Sequence, residues 1–320
     1  MHTDEDRIRG NTVILKGPEA APATYWAIAS ILHDAGLPAG CLNTIYHRPA
    51  DAAQITHQLI ASPVIKKVNF TGSTAVGSII ASLAGRHLKP AVMELGGKAP
   101  SIVCEDANVQ HAALQCALGA FLHAGQICMA TERILVHEKI VDTFRDALKA
   151  TMDQVFYSDQ GMGVLQLVTA APVEKNKKLL ADAISKGARA IYGDPGHNEE
   201  SQTKMRPVII ENVQRGMDIY HTESFGPTVS LYTVKSDDEA IAIANDTDYG
   251  LTSAVFTDDL RRGIRIAKAI ETGAVHINSM TIHDEAVLPH GGVKKSGFGR
   301  FNGLPGLDEW VRTKVVTWND

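Results

Sequence analysis

The sequence predicts an α/β protein of two domains, the first of which contains a doubly wound, Rossmann-like sheet. Short apolar runs alternate with helical patterns through the first part of the chain, as in parallel sheets covered by helices. Glycine and proline end a helical pattern at Gly36 and Pro38. The 320 residues exceed the size of most single hydrophobic cores, so a second domain is expected.

The elements of the first part follow from these patterns. The run Val13-Ile14-Leu15 is typical of a buried parallel strand. Further strands are predicted at 42–46 and 65–70, with helices at 22–35, 50–61 and 74–84. In such a fold, ligands are expected at the carboxyl ends of the strands.

The second part continues the alternation. Asp106 is the predicted N-cap of a helix that carries Val109, Ala113, Cys116 and Ala120 on one face, so Cys116 is expected in the core. Apolar periodicity and turn residues predict the remaining elements. These are strands at 134–136, 254–256, 274–278 and 314–318, helices at 139–155, 172–186, 237–245 and 260–272, and a loop at 158–163.

Composition excludes several classes of function. The net charge of −5 gives no reason to expect a nucleic-acid or anionic-membrane partner. The first ten residues carry no apolar signal segment, and no apolar run is long enough to span a membrane. The four cysteines form no Cys-x-x-Cys pair, and the thirteen histidines show no ligand spacing, so no metal site is predicted. Scattered cysteines without a signal peptide favour a reducing, cytoplasmic location.

A thiol and a carboxylate stand out as candidate catalytic groups. Glu94 is followed by Gly96-Gly97, and Cys128 follows Gly125-Gln126 in a turn. An ionised thiol is a strong nucleophile, and a carboxylate can take a proton from water. Adjacent glycines let the backbone pass close to a ligand. Taken alone, however, Cys128 also fits a small buried residue and Glu94 a solvated surface charge.

Together these motifs resemble the aldehyde dehydrogenase superfamily. The resemblance extends over residues 11–318, and the sequence is most similar to the salicylaldehyde and vanillin dehydrogenase-like branch. Its motifs are Glu94-Leu95-Gly96-Gly97-Lys98, Gly125-Gln126-Ile127-Cys128, Phe70-Thr71-Gly72-Ser73-Thr74, Glu223-Ser224-Phe225-Gly226-Pro227 and Pro289-His290-Gly291-Gly292-Val293-Lys294. Where the family usually has Phe, this chain has His290, which is expected to alter the substrate pocket or the packing.

The resemblance implies an NAD-dependent oxidation of an aldehyde to a carboxylic acid. It makes Cys128 the nucleophile, which forms a thiohemiacetal and then a thioester, and Glu94 the base that activates water. It assigns cofactor contacts to Lys16, Glu19, Gly72, Ser73, Leu95, Glu223 and Phe225. A carboxylate at Glu19 beside the adenosine ribose would repel a 2′-phosphate, which favours NAD over NADP.

The resemblance also implies a domain division and a departure from the family. Residues 1–95 would form a partial NAD-binding domain, 96–295 the catalytic domain, and 296–320 a tail with a strand that returns to the cofactor domain or to an oligomer interface. Nothing in residues 1–10 matches the family's Trp-Asn-Phe-Pro-like stretch, whose Asn donates to the oxyanion. Losing one such donor costs a factor of about 10²–10³ in rate. Without this front stretch, apolar faces of the sheet and helices would be exposed, which predicts self-association, as a homo-oligomer or in another form.

Two interpretations therefore stay open at the level of sequence. In one, the chain is an aldehyde dehydrogenase, working fully or weakly. In the other, it is a truncated homologue, weak or inactive in catalysis, that acts in binding or assembly. The retention of Glu94, Cys128 and Glu223 favours the first interpretation, and the unmatched front favours the second.

Overall fold

The computed structural model describes residues 10–156 and 163–320. Its first part alternates strands and helices, as predicted. The elements are β1 (Val13–Lys16), α1 (Pro22–Asp34), β2 (Leu42–Ile45), a 3₁₀ turn (Pro49–Asp51), α2 (Ala52–Ala61), β3 (Val68–Thr71), α3 (Thr74–Arg86) and β4 (Ala91–Glu94). The pairs β1·β2 and β3·β4 are both parallel. They belong to separate sheets, since β1 and β2 form a two-stranded sheet of their own.

The second part contains the remaining elements. They are β5 (Ala99–Val103), α4 (Val109–Phe121), a 3₁₀ turn (Leu122–Gly125), β6 (Thr131–His137), α5 (Val141–Phe156), β7 (Leu165–Gln166), α6 (Ala170–Ser185), β8 (Arg189–Tyr192), β9 (Lys204–Met205), β10 (Val208–Glu211), α7 (Asp218–His221), β11 (Thr228–Val234), α8 (Asp237–Asn245), β12 (Thr252–Phe256), α9 (Leu260–Ala269), β13 (Ala274–Ile277), a 3₁₀ turn (Lys294–Ser296), β14 (Gly297–Phe298) and α10 (Gly303–Asp308). Most of the predicted loop at 158–163 lies outside the described residues.

A seven-stranded sheet organises this second part. Its strand order is β13-β12-β5-β6-β11-β10-β8. The pairings are parallel except for β8, which runs antiparallel to β10. β5, β6 and β12 are buried along their whole length, as expected for strands in the interior of a parallel sheet. The mixed α/β class predicted from the sequence is thereby confirmed.

A short third sheet connects the two parts. β4 lies between β3 and β14, and β14 runs antiparallel to it. Gly297 in β14 has φ +118, and a Cβ there would collide with the carbonyl of Met93, so only glycine allows the strands to approach this closely. The chain near residue 297 thus returns to the first part.

Buried apolar side chains form two clusters of unequal size. The larger cluster surrounds the seven-stranded sheet, and the smaller one contains Ile60, Ile80, Ala84, Met93 and Leu95. Exposed large apolar side chains are frequent in the first part, among them Trp26, Ile31, Val64, Ile79 and Leu88. Among the described residues, no helix has both the length and the apolar character needed to cross a membrane.

Three predicted details are wrong. The N-cap of α4 is Asn108, whose side chain accepts the His111 N–H. Asp106 instead accepts hydrogen bonds from Thr257 and from Arg262. Residues 65–67 precede β3, and residues 314–318 form no strand. Within the described residues this terminal stretch pairs with no neighbouring strand, and an isolated strand lacks the ladder that stabilises it.

Candidate active site

The structure brings the two candidate catalytic groups together through neighbouring strands. Glu94 ends β4, four residues separate it from the start of β5, and Cys128 precedes β6. β5 and β6 are parallel neighbours, with Ala99 opposite Thr131. The segments that enter these two strands therefore meet at the amino edge of the large sheet. The carboxylate of Glu94 interacts there with the thiol of Cys128.

A strained turn presents Cys128. His123, Ala124 and Gly125 all have positive φ, at 50°, 60° and 69°, which is unfavourable for the two residues that carry a Cβ. Gln126 stabilises the turn, because its side-chain amide donates to the His123 carbonyl at 3.0 Å and accepts the Val168 N–H at 3.0 Å. Gly125 and Gln126 thus fix the backbone of the turn that presents Cys128.

Close packing fixes the far side of this turn. A Cβ on Gly97 would overlap the carbonyl oxygen of Cys128. The hydroxyl of Thr281 donates to the Met129 carbonyl at 2.7 Å. Cys128 is therefore held between the glycine pair and the loop after β13, and each of these contacts joins residues far apart in the sequence.

The electrostatic environment keeps the Cys128 thiol protonated. Burial raises its pKa above the ordinary value, and the negative charges of Glu94 and Glu223 raise it further. The backbone N–H of Met129 donates to the sulfur and opposes this rise. The sequence argument assumed a thiolate; here the free thiol needs a base, and Glu94 is adjacent.

Glu94 is a buried carboxylate with spare hydrogen-bonding capacity. Its residue is 3% exposed, and its Oε1 finds no hydrogen-bond partner in the part of the chain that the structure describes. The Nε2 atom of His290 lies 3.5 Å from this oxygen. Ser296 fixes the following backbone, because its carbonyl accepts the Leu95 N–H and its hydroxyl donates to the Gly96 carbonyl.

Glu223 lies beside the glycine pair on the loop that enters β11. Its Oε1 accepts the Gly97 N–H at 2.8 Å, and a Cβ on Gly96 would press against its carboxylate. Burial and the nearby charge of Glu132 raise the pKa of Glu223 to about 7. Glu223 therefore changes charge near neutral pH.

Sequence reasoning missed Glu132, which holds this loop. Its buried carboxylate accepts the Ser224 N–H at 2.6 Å, the Ser224 hydroxyl at 2.9 Å and the Phe225 N–H at 3.1 Å. The same carboxylate forms an ion pair with buried Lys98. The available signal was a run of two charges, Glu132 and Arg133, inside an apolar strand, because buried charges require partners.

Four of the predicted cofactor residues lie at or just after the carboxyl ends of β1 and β3, namely Lys16, Glu19, Gly72 and Ser73. Gly72 and Ser73 are exposed after β3, and Ser73 caps α3 by accepting the Val76 N–H. Lys16 is the last residue of β1, and its ammonium lies 3.4 Å from the carboxylate of Glu19. β1 belongs to a different sheet from β4, the strand that ends at Glu94.

Two further predicted residues differ in exposure. Leu95 is buried under Gly77 of α3. Phe225 is 36% exposed and has φ +48, a strained conformation that presents its ring to solvent.

The other cysteines lie away from the site. Cys104 and Cys116 are buried in the large core, and burial raises the pKa of each thiol to about 12. In the described residues all four cysteines are free, and no cluster of potential metal ligands is found.

Comparison with known proteins finds one family model and several relatives that match most of the chain. The family model described as Aldehyde dehydrogenase family matches residues 8–316. A vanillin dehydrogenase of Pseudomonas fluorescens is 43% identical over 311 residues, which are 96% of this chain and 64% of that protein. The chain therefore belongs to the aldehyde dehydrogenase family.

Solved structures agree in fold. A salicylaldehyde dehydrogenase of Pseudomonas putida G7, complexed with salicylaldehyde, superposes with a TM-score of 0.88 at 42% identity, over 94% of this chain and 62% of that one. An NADP-dependent glyceraldehyde-3-phosphate dehydrogenase of Bacillus halodurans C-125, complexed with NADP, gives 0.86 at 32% identity, over 95% and 62%. The chain thus spans less than two thirds of the length of these relatives.

Proposed function

We propose that the protein oxidises an aldehyde to a carboxylic acid, with Cys128 as nucleophile and Glu94 as base. One observation carries this proposal: the buried carboxylate of Glu94 and the thiol of Cys128, which are far apart in the sequence, lie close enough to interact. The alternative, a binding or assembly protein without catalysis, gives no reason to keep beside a thiol a buried carboxylate oxygen that accepts no hydrogen bond among the described residues.

The residues support the first half of the reaction as follows. Glu94 takes the proton of the Cys128 thiol, which the raised pKa otherwise keeps in place. The sulfur adds to the aldehyde carbon and forms a thiohemiacetal. Its oxyanion requires hydrogen-bond donors, and the backbone N–H of Cys128 is one candidate.

In the second half, Glu94 activates water against the resulting thioester. The C–S bond breaks, and the acid leaves. Between the two halves, a bound nicotinamide dinucleotide would supply the oxidising chemistry as a hydride acceptor.

The residues at the small strands fit such a cofactor. The α3 N-terminus, with exposed Gly72 and Ser73, offers free N–H groups and a positive dipole end to a pyrophosphate. Lys16 and Glu19 would contact the adenosine ribose, Leu95 would line the site, and Glu223 and Phe225 would hold the nicotinamide end. The lowered pKa of Glu19, due first to a backbone hydrogen bond and also to Lys16, keeps it anionic, which favours NAD over NADP.

The proposal extends to substrate and organisation. An aromatic aldehyde is the favoured substrate, because the relatives include enzymes named for vanillin and salicylaldehyde. Residues 1–95 would form the cofactor domain, 96–295 the catalytic domain and 296–320 the returning tail. Self-association and a cytoplasmic location remain predictions.

The test follows reduced nicotinamide by absorbance with salicylaldehyde and NAD. Cys128→Ala is expected to abolish the rate, whereas the matched variant Cys116→Ala keeps a substantial rate, since Cys116 lies in the core. Glu94→Gln is also expected to lose most of the rate, because burial keeps the Cys128 thiol protonated and the variant leaves it without its base. Full activity of Cys128→Ala would refute the mechanism.

A further inference from the structure

His290 supplies a feature that the proposed reaction leaves unused. Its ring is 11% exposed, and its Nε2 lies 3.5 Å from Glu94 Oε1. That oxygen has no hydrogen-bond donor among the described residues. Its position is set by backbone pairing, because the His290 N–H donates to the Phe301 carbonyl and the Phe301 N–H donates to the His290 carbonyl, both at 2.7 Å.

Once Glu94 has taken the proton of the Cys128 thiol, it must lose that proton before it can activate water. Glu94 is buried, so bulk water cannot collect the proton directly. The imidazole of His290 lies 3.5 Å from the carboxylate and needs only a small side-chain rotation to form a hydrogen bond with it.

Two more histidines, His276 and His283, lie in the same region as His290. Burial first, and then the charges of His283 and His290, lower the pKa of His276 on β13 to about 4, so His276 is a neutral, polar neighbour of the path and not a proton carrier. Its Nε2 is buried and has no partner among the described residues. The rings of His276 and His283 are 5.0 Å apart, and the His283 side chain is 38% exposed and lies 3.1 Å from Glu285.

We propose that His290 acts through Glu94, by accepting the proton that Glu94 removes from the Cys128 thiol during acylation and releasing it towards solvent on the side of His276 and His283, so that Glu94 is free to activate water. This inference rests on the proposed function. It makes His290 a positioning and relay residue, since nothing requires it to touch the substrate. The acidic end of the path, at Asp284 and Glu285, attracts the departing proton.

The proton balance of the step is complete. Water gives one proton to Glu94, and its oxygen adds to the thioester carbon. The C–S bond breaks with its electron pair on sulfur, which yields the carboxylic acid and the Cys128 thiolate. Glu94 returns this proton to the thiolate, which restores the Cys128 thiol. The proton that acylation removed from the thiol has by then passed from Glu94 Oε1 to His290 Nε2, and the imidazolium has released it towards solvent.

The neighbours of His290 are compatible with this role. Glu94 faces it from β4, His276 faces it from β13, and the side chain of Arg300 packs at the adjacent Gly291. Arg300 is engaged by the carbonyls of Gly292 and Gly299, so it does not pair with Glu94. His290 is thus the basic side chain that pairs with that carboxylate.

The test uses p-nitrophenyl acetate, which acylates a thiol without a cofactor. The burst of p-nitrophenolate reports acylation of Cys128, and the following steady phase reports hydrolysis assisted by Glu94. In His290→Phe the burst is expected to remain, while the steady rate falls about 10²-fold. Imidazole added to His290→Ala is expected to restore part of the steady rate, which a purely structural loss would not allow.

Controls separate this inference from the proposed function. His197→Asn, on an exposed loop, is expected to change neither phase, and His290→Phe is expected to add nothing in a Glu94→Gln background. An unchanged steady rate in His290→Phe overturns the relay, even if the protein oxidises aldehydes. A slowed, imidazole-rescued steady phase supports the relay, even if no aldehyde is oxidised. Absence of any burst in the unmodified protein overturns both.

Discussion

Removal of the charge of Glu132 should destabilise the protein strongly. Glu132 and Lys98 form a buried ion pair, with side chains only 6% and 1% exposed. Glu132→Gln keeps an oxygen that can accept the N–H groups of Ser224 and Phe225. The substitution therefore isolates the effect of leaving the Lys98 ammonium buried without its counter-charge.

The expected cost is about 3–5 kcal/mol of unfolding free energy, as for other buried pairs that lose one partner. Burial already lowers the pKa of Lys98, and Glu132 is the main group that opposes this shift. After the substitution, Lys98 should lose its proton more readily. The cost should therefore be smaller at high pH than at neutral pH, since a neutral amine is easier to bury.

The assay is urea denaturation, monitored by circular dichroism. The slope of the unfolding free energy against urea concentration should be the same in each variant. The double variant Lys98→Met with Glu132→Gln should cost clearly less than the sum of the two single changes, because it leaves no isolated charge. Glu174→Gln, an exposed carboxylate on α6, serves as the control and should stay within about 0.5 kcal/mol. A Glu132→Gln variant as stable as that control, or strict additivity, would refute the reasoning.

Three further predictions follow from the described contacts. Calorimetry should show tighter binding of NAD than of NADP, and Glu19→Gln should narrow the difference; tighter NADP binding would mean that Glu19 points away from the ribose. The pKa of Glu223 rises to about 7 on folding, so its stabilising contribution is present below its unfolded pKa and is lost as pH rises through 7. Relative to Glu223→Gln, the protein should therefore lose up to ~3 kcal/mol of unfolding free energy between pH 5 and 8. A difference in unfolding free energy between the two proteins that does not change with pH would argue against the pKa shift. Amide hydrogen exchange should be faster in β1 to α3 than in β6, because that part has the smaller buried cluster; equal protection would contradict this.

The sequence by itself determined much of this protein. Apolar runs and helix-ending residues predicted most strands and helices, and the spacing of Cys116 predicted its place in the core. The motifs around Glu94, Cys128 and Glu223 indicated the family, because such motifs are local in the chain. Local signals are also why the prediction failed at residues 314–318, where a strand pattern finds no partner strand in the described residues.

Only the tertiary structure decided how these motifs meet. The candidate site lies between the carboxyl ends of the small strands and the amino edge of the large sheet, where β5, β6 and β11 are neighbours. The strand patterns alone had predicted a ligand site at the carboxyl ends of the strands, without the large sheet. The roles of Glu132 and His290 and the protonated state of Cys128 depend on burial and on contacts between distant residues. A pKa follows from the dielectric environment and from nearby charges, and packing determines both.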